Sequence, residues 1–423
     1  MPRYHNPILV SLATALTLHM ALAAGVSAAT VYVSPAGTAG GDGSVQAPVR
    51  TPQRALEIAA DGDTIIFRQG SYVVNSPIRV ERTGVTLTTI SGERVILTGA
   101  STDADTLPAV LDISGDGVVV ADLSVRGGFY GIKIDRPGDA VRRVRIRNVR
   151  VGDTGADCIK CTNADALVIE GCDIGPSGLT QKDNAEGIDV VGSLGITIRN
   201  CVVHDVTTNG IYLKGGTRNG LIELCTIRNA GNGGILLGQD TDLEFMRRGV
   251  KNEAIDCVAR NNLIVNTATA GLGTYAGLNV RFENNTVVNA ATEGQAALWV
   301  VTNSRDVPSE RVTFSQNIIV KKGPRPLVFI KDPADMPRFE KNLYFNTDNP
   351  GIFRREFTAL ERSEDMDFPK WQRALDDKHS LQADPMLDPN HDYLPRDGSP
   401  ATGLGRQPAT RPVTTLPKGS LSR

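Results

Sequence analysis

Apolar and polar positions alternate over short stretches through most of the chain, and the stretches return at intervals. Typical frames are ITIRNCVV (196–203), VRFENNTVV (280–288) and VTFSQNIIV (312–320). One position of the frame is held in turn by Leu123, Val149, Cys172, Cys201, Cys225, Asn262, Asn285, Asn317 and Asn342, at spacings of 23 to 37 residues. Short alternating runs predict half-buried strands. A repeat of this size predicts a solenoid whose coils stack about 4.8 Å apart. Equivalent residues then form columns, and an inward Asn column can hydrogen-bond along its length. The expected fold is all-β, a right-handed parallel β-helix, with coils running from about 80 to 345.

The two ends break this pattern. Arg3 and His5 precede the apolar run ILVSLATALTLHMALAAGV, which closes on Ser27, Ala28 and Ala29. Residues 1–29 therefore read as a secretory signal, and the mature protein is expected to be secreted or periplasmic, with no membrane span. The opening of the mature chain predicts a strand at 31–33, a Gly-rich loop, an amphipathic helix over 53–60 and a strand at 64–67. Such a helix caps the open end of a solenoid, whose strand edges would otherwise be exposed. The β-helix domain is expected over 30–350. After it come an irregular C-terminal cap over 351–408, with a helical stretch near 371–376, and a mobile tail over 409–423.

A second strand recurs just before each column residue, with the pattern x-G-I-x-h-x. Its instances are YGIKID (130–135), DCIKCT (157–162), EGIDVV (186–191), NGIYLK (209–214) and GGILLG (233–238). The Ile points inward, so the fourth and sixth positions face solvent. The fourth position gives Lys133, Lys160, Asp189, Tyr212 and Leu236; the sixth gives Asp135, Thr162, Val191, Lys214 and Gly238. The first position gives Tyr130, Asp157, Glu186, Asn209 and Gly233. Asp157, Glu186 and Asp189 should thus cluster, with Lys160 and Lys214 beside them. Crowded carboxylates repel unless neutralised, and Ca²⁺ is a hard cation that takes oxygen ligands. A solvated ladder with Asp189 paired to Lys160 is the alternative. Two long connections, 175–185 and 239–252, are expected to protrude near this face; the second carries Arg247, Arg248 and Lys251.

Composition removes some functions. A formal net charge of −2 gives no support for general nucleic-acid binding. Of the five histidines, only His204, His379 and His391 lie beyond the expected signal, so a His-based nucleophilic triad has little to build on. Cys172, Cys201 and Cys225 read as small core residues in a column rather than as disulfides. Cys158 and Cys161 form a CxxC without the further ligands that zinc needs.

The strands DCIKC (157–161), AEGID (185–189) and NGIYLKGG (209–216), with the opening YVSPAGTAGGDGSVQAPVRTPQRALEIAADGDTI, resemble polysaccharide lyases of family 9, the pectate-type lyases, across roughly 31–346. The resemblance implies Ca²⁺ held by Asp157, Glu186 and Asp189. Ala185 falls where the family has a further acidic ligand. It implies a lysine as the base of a β-elimination; aligning on Gly215 and Gly216 selects Lys214, and aligning on Asn209 and Gly210 selects Tyr212. Lys160, Tyr212, Arg247 and Arg248 become candidates for binding substrate. The expected function is Ca²⁺-assisted lysis of an acidic polysaccharide, a uronan, by a monomer. A C5-epimerase, a glycoside hydrolase and a non-catalytic polysaccharide-binding β-helix are the alternatives.

Overall fold

The computed structural model describes residues 28–348 and 350–408. The expected export signal lies outside them except for Ala28 and Ala29, and the expected tail lies wholly outside. The described chain winds into a parallel β-helix built on three 12-stranded sheets. The first runs from Thr30–Thr38 to Arg338–Glu340, the second from Ile78–Val80 to Arg362–Met366, and the third from Gly70–Val74 to Leu381–Gln382. The second sheet carries the x-G-I-x-h-x strands. Its register pairs Ile132 with Ile159, Ile159 with Ile188, Ile188 with Ile211, and Ile211 with Ile235. All five are fully buried, so the inward column is continuous and the outward residues fall in line.

The recurring column is a polar seam inside the core. The Asn262 Nδ2 donates to Asn285 Oδ1 (3.0 Å), Asn285 to Asn317 (3.0 Å) and Asn317 to Asn342 (2.9 Å). Each amide also donates to a main-chain carbonyl of the coil before, at Ile222, Ala259, Phe282 and Phe314. The cysteines make a weaker version of the same bond. The Sγ atoms of Cys172, Cys201 and Cys225 donate to the carbonyls of Ile146, Ile169 and Ile198 at 3.7 Å. Asn and Cys are therefore alternative donors to one column of carbonyls. All six cysteines are free and buried.

Both ends of the core are covered. The first helix, Pro52–Ile58, starts on Thr51, whose Oγ1 accepts from the Arg54 N–H (3.3 Å), with Pro in its first turn. It buries Pro52 and Ala55 and packs on Thr30–Thr38 and Ile78–Val80. At the other end Phe282, Phe314 and Phe339 stack with ring centres 4.7 and 5.3 Å apart, and Trp371 closes the stack edge-on at 5.0 Å. Trp371 belongs to the helix Phe368–Leu375, which begins earlier than the sequence suggests.

The strand Phe353–Phe357 adds a parallel rung to the second sheet beyond 350. Its sequence FRREF hides this, because Arg354 and Arg355 pair with Asp365 and Glu364 on the next, antiparallel strand instead of showing an apolar face. No helix among the described residues is long and apolar enough to cross a membrane.

Candidate active site

Strand register brings the acidic residues together. Lys160 pairs with Asp189, Asp189 with Tyr212, and Val191 with Lys214 on successive coils. The first positions of the strands form a second line at the turn. The Glu186 N–H donates to Asp157 Oδ1 (2.9 Å), Asn209 Nδ2 donates to Glu186 Oε1 (3.1 Å), and the Gly233 N–H donates to Asn209 Oδ1 (3.0 Å). These bonds fix Oδ1 of Asp157 and Oε1 of Glu186, while Asp189 is held by Lys160 instead. Asp157 and Asp189 are fully buried and Glu186 is 3% exposed. One oxygen from each lies within 4.8 Å of the others.

Two lysines offset part of this charge. The Lys160 Nζ donates to Asp189 Oδ2 and stands 3.4 Å from Asp157 Oδ2. Lys214 Nζ is 3.3 Å from Asp189 Oδ2 and lies over the Tyr212 ring, 4.2 Å from its centre. Burial pulls the Lys160 ammonium down, but Asp189 and Asp157 more than offset this and hold it above its ordinary value. Burial first, and the Glu186 carboxylate second, push the Asp157 carboxyl well up.

The donor set fits a hard divalent cation. Glu186 Oε2 and Asp189 Oδ1 are buried and have no hydrogen-bond partner, and the buried Asp157 Oδ2 meets only the Lys160 ammonium at 3.4 Å; leaving such oxygens unpaired is costly unless a cation meets them. All the donors are carboxylate oxygens, the preference of Ca²⁺ rather than of zinc. Three ligands leave coordination positions open, since Ca²⁺ takes about six to eight. Ala185 adds none: it is buried, its N–H facing Thr208 Oγ1 and its carbonyl facing Ser177 Oγ.

The remaining sequence candidates separate. Tyr212 is 3% exposed and packs under Leu236 and Ala270, and burial raises its phenol well above the ordinary value. It floors Lys214 and is a poor base. Arg247 is turned to internal partners, with Nη1 3.2 Å from the Gly192 carbonyl and 3.5 Å from Asp165 Oδ1. Its N–H also donates to the Gly215 carbonyl, so it ties the long loop to the turn after Lys214. Arg248 is exposed on that loop. The turn itself requires glycine. Gly215 and Gly216 have φ of +67° and +85°, and a Cβ on Gly215 would stand 2.6 Å from Val191 Cγ1.

Glu253 is a functional neighbour that the sequence did not single out. It is fully buried, accepts from the Gly215 N–H (2.8 Å), Thr241 N–H (3.0 Å) and Thr241 Oγ1 (2.7 Å), and pairs with Arg305 (2.5 Å). It clamps the 239–252 loop to the Lys214 turn. Its partners are 12, 38 and 52 residues away in sequence, so no local pattern marks it. The CxxC is not a metal site: Cys158 and Cys161 are core residues, and burial pushes both thiols up to about 12.

A right-handed parallel β-helix with a buried acidic cluster and two lysines on one outer face defines the class. Residues 130–323 match the family described as right handed beta helix region. A stretch of 146 residues is 33% identical to the pectate lyase PEL9 of Emericella nidulans, covering 30% of this chain and 35% of that protein. The matched part thus spans about a third of that relative's length. Among solved structures, the GH136 lacto-N-biosidase of Eubacterium ramulus superposes with a TM-score of 0.55 at 12% identity, covering 78% of this chain and 67% of that one. XylC in complex with xylose superposes with a TM-score of 0.52 at 12% identity, covering 85% and 87%. The chain is a right-handed parallel β-helix protein resembling the pectate-type lyases of family 9.

Proposed function

We propose that this protein is an enzyme that cleaves a uronate-containing polysaccharide by Ca²⁺-assisted β-elimination. The observation that carries this is the trio Asp157, Glu186 and Asp189, whose buried carboxylates bring one oxygen each within 4.8 Å of the others, beside Lys214. The likeness to a pectate lyase supports the substrate class.

Asp157, Glu186 and Asp189 would hold the cation. Bound there, it supplies positive charge to a substrate carboxylate and so favours loss of the neighbouring C5 proton. Lys214 Nζ is the base that takes that proton. The C5–H electron pair becomes the C4=C5 double bond, the C4–O bond breaks, and the departing oxygen gains a proton from solvent. Tyr212 and the Glu253 clamp fix where the Lys214 side chain stands, which matters because proton transfer needs hydrogen-bond reach. Lys160 meets the acids in the absence of other positive charge and is placed to meet the substrate carboxylate.

Inverting hydrolysis fits less well. The acid oxygens lie within 4.8 Å of one another, closer than the roughly 6.5–9.5 Å that leaves room for a water in an inverting glycosidase, whereas a retaining pair stands about 5–5.5 Å apart and is told from a lyase by its product. The test is ultraviolet absorbance of the unsaturated product on a panel of uronans, with and without a chelator. Absorbance that rises with Ca²⁺ and stops with chelator supports the proposal. A changed C5 configuration in the sugar without absorbance would mean an epimerase. New reducing ends without absorbance would mean a hydrolase.

A further inference from the structure

The outer face that carries the acidic cluster changes character within one coil. Beyond Asp189 the same column runs through Tyr212, Leu236, Gly273, Trp299 and Phe329, all paired in register. Trp299 and Phe329 stack with ring centres 4.6 Å apart, and Tyr275 stands 6.0 Å from Trp299. These rings are not core filling: they form clusters separate from the main core, on the opposite side of the sheet. Phe329 is nearly covered, whereas Trp299 and Tyr275 are partly exposed. Gly273 places no side chain beside the indole, and an added Cβ there would meet Leu236 Cδ2 at 2.9 Å and Trp299 Cβ at 3.3 Å. Polar groups edge the patch, with Gln295 Nε2 donating to Tyr275 Oη (3.0 Å) and Lys331 one coil beyond Val301.

We propose that Trp299, supported by Tyr275 and Phe329, is a sugar-stacking platform for a pyranose ring of the same glycan chain that enters the acidic cluster. A pyranose presents a C–H face and an equatorial rim of hydroxyls. A partly exposed aromatic face edged by an amide and an ammonium matches both. The platform lies four coil steps from Asp189 along one column, roughly 19 Å at about 4.8 Å per step. Only a glycan several units long, lying along the solenoid axis, reaches both. The site therefore reads chain length as well as charge. This inference rests on the face binding polysaccharide, and not on which reaction follows.

The chain supplies its own probe, because it has two tryptophans and the other, Trp371, is fully buried in the core. Tryptophan emission would be titrated with oligogalacturonides, alginate oligomers and neutral xylo-oligosaccharides of increasing length, in chelator and in Ca²⁺. The expected result is a shift or quench with at least one series, strengthening with length, and absent in Trp299→Phe. Trp299→Ala is expected to weaken binding of the long oligomers by roughly tenfold. No emission change with any of the three series overturns the platform, as does a change that persists in Trp299→Phe. The lyase reading fails separately: glycan-dependent quenching without unsaturated product keeps the platform and removes the reaction. Product without quenching does the reverse.

Discussion

At the scale of single residues, Lys160 is the most consequential neighbour of the acidic trio. Its ammonium stands where it satisfies Asp189 and approaches Asp157, so it competes with any added cation. Lys160→Met is expected to tighten Ca²⁺ binding by about tenfold or more, read by calorimetry. Unchanged or weaker binding would mean that Lys160 is not a competitor. A second residue gives the fold a pH dependence. His204 bridges Asp173 (3.1 Å) and Asp205 (2.9 Å), and these hydrogen bonds raise it to about 9 against burial. Its contribution to stability is fully present below its unfolded value, about 6.5, and is lost as pH rises through about 9. The denaturant midpoint should fall across that window in the wild type and fall less in His204→Asn. Identical slopes would contradict this.

At the scale of elements, the Asn seam and the loop clamp are the parts to test. Asn285→Ala removes donors to Asn317 Oδ1 and the Ala259 carbonyl and leaves the Asn262 N–H without its acceptor. At about 1–3 kcal/mol for each buried group left unpaired, the loss should reach several kcal/mol. Cys201→Ala removes only weak sulfur bonds and a little volume, and should cost about 1–2 kcal/mol. Urea midpoints of the two variants check the order. Glu253→Ala should free the 239–252 loop, so limited proteolysis ought to cut there first. Cutting at wild-type rates would show that the clamp is unnecessary.

These elements also mark what the sequence can reveal. The seam was legible because stacking makes distant residues equivalent, so a column appears as a period. The same period aligned Asp157, Glu186, Asp189 and Lys214 on one face, and in the structure the three acids bring one oxygen each within 4.8 Å of one another, with Lys214 Nζ 3.3 Å from Asp189. Loops obey no period. The inward turn of Arg247, the Glu253–Arg305 pair and the extra rung Phe353–Phe357 all depend on partners set by tertiary contact alone. The aromatic half of the face was visible only as the point where charges gave way to Leu236. Beyond it, Gly273 and Trp299 no longer fit the x-G-I-x-h-x frame.

At the scale of the whole molecule, the solenoid turns a linear repeat into a graded surface. In one column of the second sheet, two coils supply Lys133 and Lys160, the next supplies Asp189, and later coils supply aromatic rings. The caps close both ends of the core, and it is this outer face that the proposed function gives to a long ligand. Its central claim is that Lys214 removes a proton from a uronate next to a cation held by the acidic trio. The most direct measurement is the rate of unsaturated-product formation from the best uronan in excess Ca²⁺, for the wild type and Lys214→Ala side by side. The account predicts steady product from the wild type and a rate lower by roughly 10²–10⁴-fold in the variant, with its Ca²⁺ binding retained. Equal rates from the two proteins would contradict it.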